Sequence, residues 1–195
     1  MENKKIFEKY SQIFIEENHK INLISKNDEK FLWEKHIYDS LSLGLFFEKY
    51  EKPDNLLDIG TGGGFPSVPL AIKYPEIKIT AVDSIGKKIR AVETFKEKLH
   101  LDNLIPICTR VENIDQKFAC ITSRAVASLD KICEYALPKL NKDGYFIAFK
   151  SKKINEEIKQ AEKILKKHNA KIIDIIEYEL PTEEKPERYL IIIKK

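Results

Sequence analysis

Residues Leu56–Ile72 read LLDIGTGGGFPSVPLAI. Four of the chain's seven glycines, Gly60, Gly62, Gly63 and Gly64, fall within five consecutive positions of it. The apolar LLDI before them predicts a buried strand. The proline-studded apolar run after them, with Pro66 near its first turn, predicts a helix. Glycine admits positive φ angles and lets another molecule come close to the backbone. A glycine loop between a strand and a helix is where open α/β sheets hold ligands, at the carboxyl ends of their strands.

From this loop outward, the chain alternates strands and helices. Strands are expected at 56–59, 78–83, 104–109, 118–123 and 145–150, with helices at about 66–73, 85–100, 128–138 and 153–168. Two more β-rich runs, 171–178 and 188–195, follow without a helix between them, joined by the polar, proline-containing ELPTEEKPE. This pattern predicts an α/β fold with a doubly wound, mostly parallel sheet and an antiparallel edge strand. Before the first strand, Ile6, Phe7, Tyr10, Ile13 and Phe14 share one helical stripe, and a second helical stretch covers 28–47, broken near Asp39 or Gly44. The expected organisation is therefore one domain over 1–195, with an N-terminal helical cap (1–50) on a ligand-binding core (51–195).

Composition limits the function classes. At 195 residues, 43% hydrophobic and 33% charged, the chain suits a globular protein with a proper core. No apolar run is long enough to span a membrane, and the glutamate-containing N-terminus does not read as a signal peptide. Cys108, Cys120 and Cys133 lack metal-ligand spacing and read as core thiols in a reducing cytoplasm. The net charge of +3 does not itself announce a nucleic-acid binder. Arginine usage is more informative: of 34 basic residues only Arg90, Arg110, Arg124 and Arg188 are arginine, the residue whose planar fork lysine cannot imitate. Arg110 and Arg124 fall at the ends of consecutive expected strands, over the same crevice as the glycines.

The identity of the ligand turns on spacing. A G-x-G-x-x-G dinucleotide fingerprint fails from Gly60, where its third glycine would be Phe65, and from Gly62, where it would be Ser67. No Lys-Ser/Thr pair follows the glycines as a P-loop requires. What fits is an acid-x-Gly-x-Gly-x-Gly series, Asp58, Gly60, Gly62 and Gly64, which resembles the first motif of S-adenosylmethionine methyltransferases. Asp83 ends the next strand, 23 residues beyond Gly60. Taken alone it serves equally well as a helix cap. With Asp58 and the glycines it reads as the acceptor for two ribose hydroxyls.

Beyond these motifs the sequence resembles, nearly end to end, the ribosomal RNA small subunit methyltransferase G family, also called glucose-inhibited division protein B. The resemblance is carried by NLISKND, HIYDSL, DIGTGGGFPSVPLAI, VDSIGKKI, RVE, TSRAVASL, the strand ending at Lys150 and the terminal RYLIIIKK. It implies transfer of a methyl group from S-adenosylmethionine to N7 of a guanine in the 530-loop region of bacterial 16S rRNA, as free rRNA or in the small ribosomal subunit. It also implies a cytoplasmic, metal-free, monomeric enzyme. Carried over by position, cofactor contacts are expected at Gly60, Phe65, Val111, Glu112 and Arg124, with Asp83 at the ribose. Lys87, Lys88, Arg110 and Lys150 are expected near RNA or the reacting guanine. The family commonly has Lys-Arg at Lys87-Lys88, glycine at Ser67 and alanine at Val111. Phe65 or Tyr145 could stack on a base, although Tyr145 also reads as a core strand residue and His36 as a structural one. Two other readings stand beside this one: a methyltransferase with a different substrate, and a non-catalytic RNA-binding protein that keeps the fold.

Overall fold

The computed structural model describes residues 2–151 and 154–195; Lys152 and Lys153, expected to lead into the last helix, lie outside the described residues. Helix α1 (Glu2–Ile21) and three short helices, α2 (Lys26–Glu29), α3 (Asp39–Leu41) and α4 (Gly44–Lys49), precede the sheet. Leu32–Tyr38, between α2 and α3, is π-helical, so the helical stretch expected over 28–47 is divided not only at Asp39 and Gly44 but into several short pieces. The wider π turn brings extra backbone groups to one side, and this segment delivers Lys35, His36 and Asp39 to the site.

The core alternates β1 (Asn55–Ile59), α5 (Ser67–Lys73), β2 (Lys78–Asp83), α6 (Gly86–Leu99), β3 (Leu104–Cys108), β4 (Phe118–Arg124), α7 (Leu129–Ala136), β5 (Leu140–Lys150), α8 (Ile154–Lys167), β6 (Lys171–Glu179) and β7 (Glu187–Lys194). The strand order is β3-β2-β1-β4-β5-β7-β6. Strands β1 to β5 pair in parallel, whereas β7 is antiparallel to both β5 and β6. The expected antiparallel pairing at an edge is present: β6 forms the border and pairs antiparallel with β7, which inserts between β5 and β6. The tight polar connection after β6 lets β7 fold back along it, and its apolar LIII run is buried by strands on both sides.

The strand period of two divides the core. Leu56, Ile79, Cys120, Ile147 and Ile192 pack with Phe14, Phe65 and Phe95 on the face covered by α1, α5 and α6. Leu57, Ile121, Phe146 and Ile191 pack with Leu129, Ile132 and Leu165 of α7 and α8 on the other. Helix α1 is bound into the first cluster by aromatic contacts: Phe14 lies 5.7 Å from Phe95 and 5.1 Å from Phe65, centroid to centroid. Truncating a buried phenylalanine such as Phe14 costs about 3–5 kcal/mol. Cys120 and Cys133 are buried as expected, and burial pushes the Cys133 thiol up to about 12. Cys108 departs from the expectation: at the open end of edge strand β3 it is exposed. Tyr145 packs against Phe46 and Tyr50 at the amino-terminal side of the sheet, 5.2 and 5.5 Å away, far from the carboxyl ends.

Candidate active site

The glycine loop turns over the carboxyl end of β1 and is tied to β2, because the N–H groups of Gly60 and Thr61 both donate to the Val82 carbonyl, at 2.8 and 3.0 Å. At Gly60 (φ +72°) a Cβ would overlap a methyl group of Val126, and at Gly64 (φ +89°) it would lie 2.6 Å from a Val68 methyl. Both positions combine a left-handed backbone with no room for a side chain, so glycine is needed there twice over. Gly62 differs. Its nearest neighbour to an added Cβ is 3.8 Å away, so its bareness faces open space.

Asp58 lies under this loop, fully buried. Thr122 donates to its Oδ1 at 3.4 Å, and Oδ2 has no hydrogen-bond partner among the described residues. Burial raises its carboxyl to about 6, partly opposed by the nearby Thr61 and Ser67 hydroxyls and the Arg124 charge. Thr61 and Ser67 are themselves joined through their hydroxyls. Ser67, where the resembled family commonly has glycine, therefore contributes a polar contact beneath the loop.

Asp83 is held at the end of β2 by two backbone donors. Its Oδ1 accepts from the Ile85 N–H at 2.9 Å, just before α6, and its Oδ2 accepts from the Gly62 N–H at 3.0 Å. Each carboxylate oxygen has a second lone pair, so the group is fixed by two backbone donors and can still accept two hydroxyls. It borders a cavity of about 550 Å³ lined also by Gly60, Lys88, Arg110, Val111, Glu112 and Val126.

A second cavity, about 600 Å³, opens beside the first and shares Gly60, Lys88 and Ala125 with it. Gly62, Gly63, Phe65, Arg124 and Lys150 border it together with His36, Asp39, Glu157 and Arg188. Ala125, between the two cavities, holds a left-handed conformation (φ +56°) without being glycine. Such strain persists where the surroundings dictate the backbone, and it clusters at functional sites. Of the expected site residues, Lys87 lines neither cavity and is exposed on α6, while Asp58 and Gly64 support the loop from below.

The Arg124 side chain is turned toward the cap. It donates to Asp39 Oδ2 at 2.8 Å and to the Lys35 carbonyl at 3.3 Å, and it lies 3.3 Å from His36 Nδ1. Tyr178 of β6 donates to Asp39 Oδ1 at 2.6 Å, which closes a buried network from cap to sheet. Because a guanidinium can only donate, His36 Nδ1 must accept, and the ring is neutral with its proton on Nε2. Burial first, then the Arg124 charge, lowers the His36 pKa to about 4. The Phe65 ring is sandwiched between Phe14 and the Arg124 guanidinium, 5.0 Å from its centroid, and is only 4% exposed. Its place in the cap–core joint leaves little ring surface for stacking on a base.

Lys150, at the end of β5, is paired with Glu157 of α8 at 2.6 Å and donates to the Ala127 carbonyl at 2.8 Å. His36, Asp39, Glu157 and Arg188 are site residues that sequence reasoning did not assign. HIYDSL stood out as a motif without a role. Arg188 is one of the four arginines, but it stands at the start of its strand rather than at the end. Only because β7 is antiparallel does its start fall at the carboxyl rim, with Tyr189 paired to Lys150.

The cradle suits an adenosine-linked amino acid: an oriented acid in one cavity, a bare loop between the cavities, and a charged second cavity. Comparison with known proteins agrees. The family model described as "GidB: rRNA small subunit methyltransferase G" matches residues 3–185. The ribosomal RNA small subunit methyltransferase G of Staphylococcus saprophyticus is 39% identical over 194 residues, covering 97% of this chain and 80% of that protein. The Lactococcus lactis enzyme of the same name is 36% identical over 197 residues, covering 98% of this chain and 82% of that protein. Among solved structures, a SAM-dependent O-methyltransferase of Thermotoga maritima superposes with a TM-score of 0.58 at 17% identity, covering 81% of this chain and 64% of that one. The fold is accordingly that of S-adenosylmethionine-dependent methyltransferases.

Proposed function

The chain belongs to the rRNA small subunit methyltransferase G family, and from that premise we propose that it methylates N7 of one guanine in the 530-loop region of 16S rRNA. S-adenosylmethionine, its cofactor, supplies an electrophilic methyl carbon on a sulfonium. In this reading Asp83 accepts the ribose hydroxyls, Val111 and Glu112 border the adenine, and Gly60, Gly62 and the loop above Asp58 seat the methionine portion. The chain is read as a single unit, 1–50 capping 51–195.

The observation that carries the substrate reading is the character of the second cavity. It is an open crevice rather than an enclosed apolar pocket under the cap; Arg124 and Lys150 are paired there with Asp39 and Glu157, and Lys88 and Arg188 supply the excess positive charge. Such a surface suits a polyanion. Guanine N7 has an exposed lone pair and is an acceptor in its ground state. No proton has to be removed before attack, so a general base is not needed. The cleft carboxylates agree with this: Asp39 and Glu157 are both engaged in ion pairs. What remains for the protein is to position the base and offset charge, the contributions expected of proximity and preorganised electrostatics.

The decisive experiment incubates the protein with labelled S-adenosylmethionine and 16S rRNA, or small subunits, from a strain lacking the enzyme. Borohydride and aniline treatment then cleaves the RNA at N7-methylguanine. Label accompanied by a single cleavage site supports the reading; label without cleavage rejects N7.

A further inference from the structure

We propose that Glu157 is a positioning residue for methyl transfer: it neutralises Lys150 and aims its ammonium, so that Lys150 serves as a fixed hydrogen-bond donor to the target base rather than as a counter-charge to phosphate. The inference rests on the guanine-N7 reading above.

An ammonium has three protons. One of those on Lys150 is committed to the Ala127 carbonyl at 2.8 Å, and Glu157 Oε2 lies 2.6 Å from the same nitrogen as its ion-pair partner. The same Oε2 accepts the Leu129 N–H at 2.7 Å, so the carboxylate is anchored to the first turn of α7 and cannot swing with the lysine. Both side chains border the second cavity, and the Lys150 side chain is only 10% exposed. A lysine that binds phosphate is ordinarily a mobile, solvated cation. This one is held by the Ala127 carbonyl and the Glu157 charge, with N–H donors left uncommitted among the described residues.

The chemistry explains why cancellation helps. On its major-groove edge guanine presents two adjacent acceptors, O6 and N7. If N7 receives the methyl group, O6 is the acceptor left for a donor. The purine gains positive charge as N7 is alkylated, and an uncompensated cation beside O6 would oppose that change. A Lys–Glu pair offers the donor without the net charge, and Lys88 and Arg188 remain to meet phosphates.

Glu157→Gln keeps the side chain's shape and its acceptor for Lys150 and Leu129 while removing the charge. With 16S rRNA from a strain lacking the enzyme, kcat should fall about 10- to 100-fold, the effect of losing a charge-assisted hydrogen bond. S-adenosylmethionine affinity should be unchanged, with the rate read at a temperature where circular dichroism shows the variant fully folded. The freed lysine should also steepen the dependence of RNA affinity on salt (log against log) by about 0.7–0.9. The double variant Lys150→Met/Glu157→Gln leaves no unpaired charge. It should be equally slow, with the wild-type salt dependence. The inference is overturned if Glu157→Gln turns over at the wild-type rate, or if the double variant flattens the salt dependence by about one phosphate contact. Mapping the wild-type product by aniline cleavage separates the two levels: no N7 product sinks the N7 reading, whereas an N7 product with unaffected variants sinks only the role of Glu157.

Discussion

Replacing Asp39 with alanine should loosen the cap from the sheet. The Asp39–Arg124 pair is nearly closed to solvent, with side-chain exposures of 8% and 14%. Its other carboxylate oxygen takes the Tyr178 hydroxyl at 2.6 Å. Without the carboxylate, Arg124 keeps only the Lys35 carbonyl and the His36 ring at 3.3 Å each, and Tyr178 loses its acceptor. Breaking a buried pair from one side costs about 3–5 kcal/mol. For a chain of this size that corresponds to a drop of about 6–20 °C in melting temperature. The assay is urea unfolding followed by far-UV circular dichroism and by fluorescence. The single tryptophan, Trp33, sits on the cap with its ring 5.6 Å from Phe7, so its emission reports on the cap. In the wild type the two transitions should coincide; in Asp39→Ala the fluorescence transition should move first. Joint replacement by Asp39→Leu, Arg124→Met and Tyr178→Phe should cost less stability than Asp39→Ala alone, because no charge or hydroxyl is stranded. A loss below about 1 kcal/mol for Asp39→Ala, the worth of an exposed pair, together with coincident transitions, would refute the network as the anchor of the cap.

Three further outcomes are expected. Asp83→Ala should weaken S-adenosylmethionine binding by at least about 10-fold in calorimetry, since charge-assisted hydrogen bonds are worth about 1.5–3 kcal/mol each; unchanged affinity would remove Asp83 from the ribose. Gly60→Ala should abolish cofactor binding, because the new methyl collides with Val126 at a left-handed position; retained binding would show that the loop can shift. The third outcome concerns acid stability. Above pH 6.5 His36 is neutral whether the chain is folded or not. As pH falls toward 4 the unfolded chain takes up a proton that folded His36, with a pKa of about 4, refuses, and the fold loses about 3 kcal/mol. Asp58 acts in the opposite sense: its carboxyl, raised to about 6, binds a proton first in the folded state, so acidification through the same window returns a similar amount. The two effects nearly cancel in the wild type. His36→Asn should therefore grow more stable relative to the wild type, by about 3 kcal/mol, between pH 6.5 and 4 in denaturant titrations; parallel pH profiles would refute the assignment.

The elements with their own local signal could be read from the sequence alone. The glycine loop, Asp58, Asp83 and the alternation of strands and helices each depend on spacing within a few turns of chain. Lys87 and Lys88 were expected near RNA from the resembled family's Lys-Arg pair; a helix sends adjacent residues in different directions, so Lys88 lines the cleft while Lys87 is exposed beside it. What could not be read depends on distant parts of the chain meeting. Arg124 stands where expected, but its partners Lys35, His36 and Asp39 are more than 80 residues away, presented by a π-helical turn that no periodicity announces. Lys150 was expected near RNA or the reacting guanine, with no partner named for it. Its neutralisation depends on how α8 packs beside α7, where Glu157 also takes the amide at the start of α7.

The reversed direction of β7 settles on which rim of the sheet Lys195 lies. Lys195 is pinned beside the turn that leads into the paired part of β5: its N–H donates to the Gly144 carbonyl at 3.2 Å, and its carbonyl accepts from the Asp143 N–H at 2.9 Å. That is the rim opposite the two cavities. A fluorophore, affinity handle or surface linker joined after Lys195 would therefore point away from the RNA and leave the cleft clear. Had β7 run parallel to β5, the same attachment would have emerged beside Lys150.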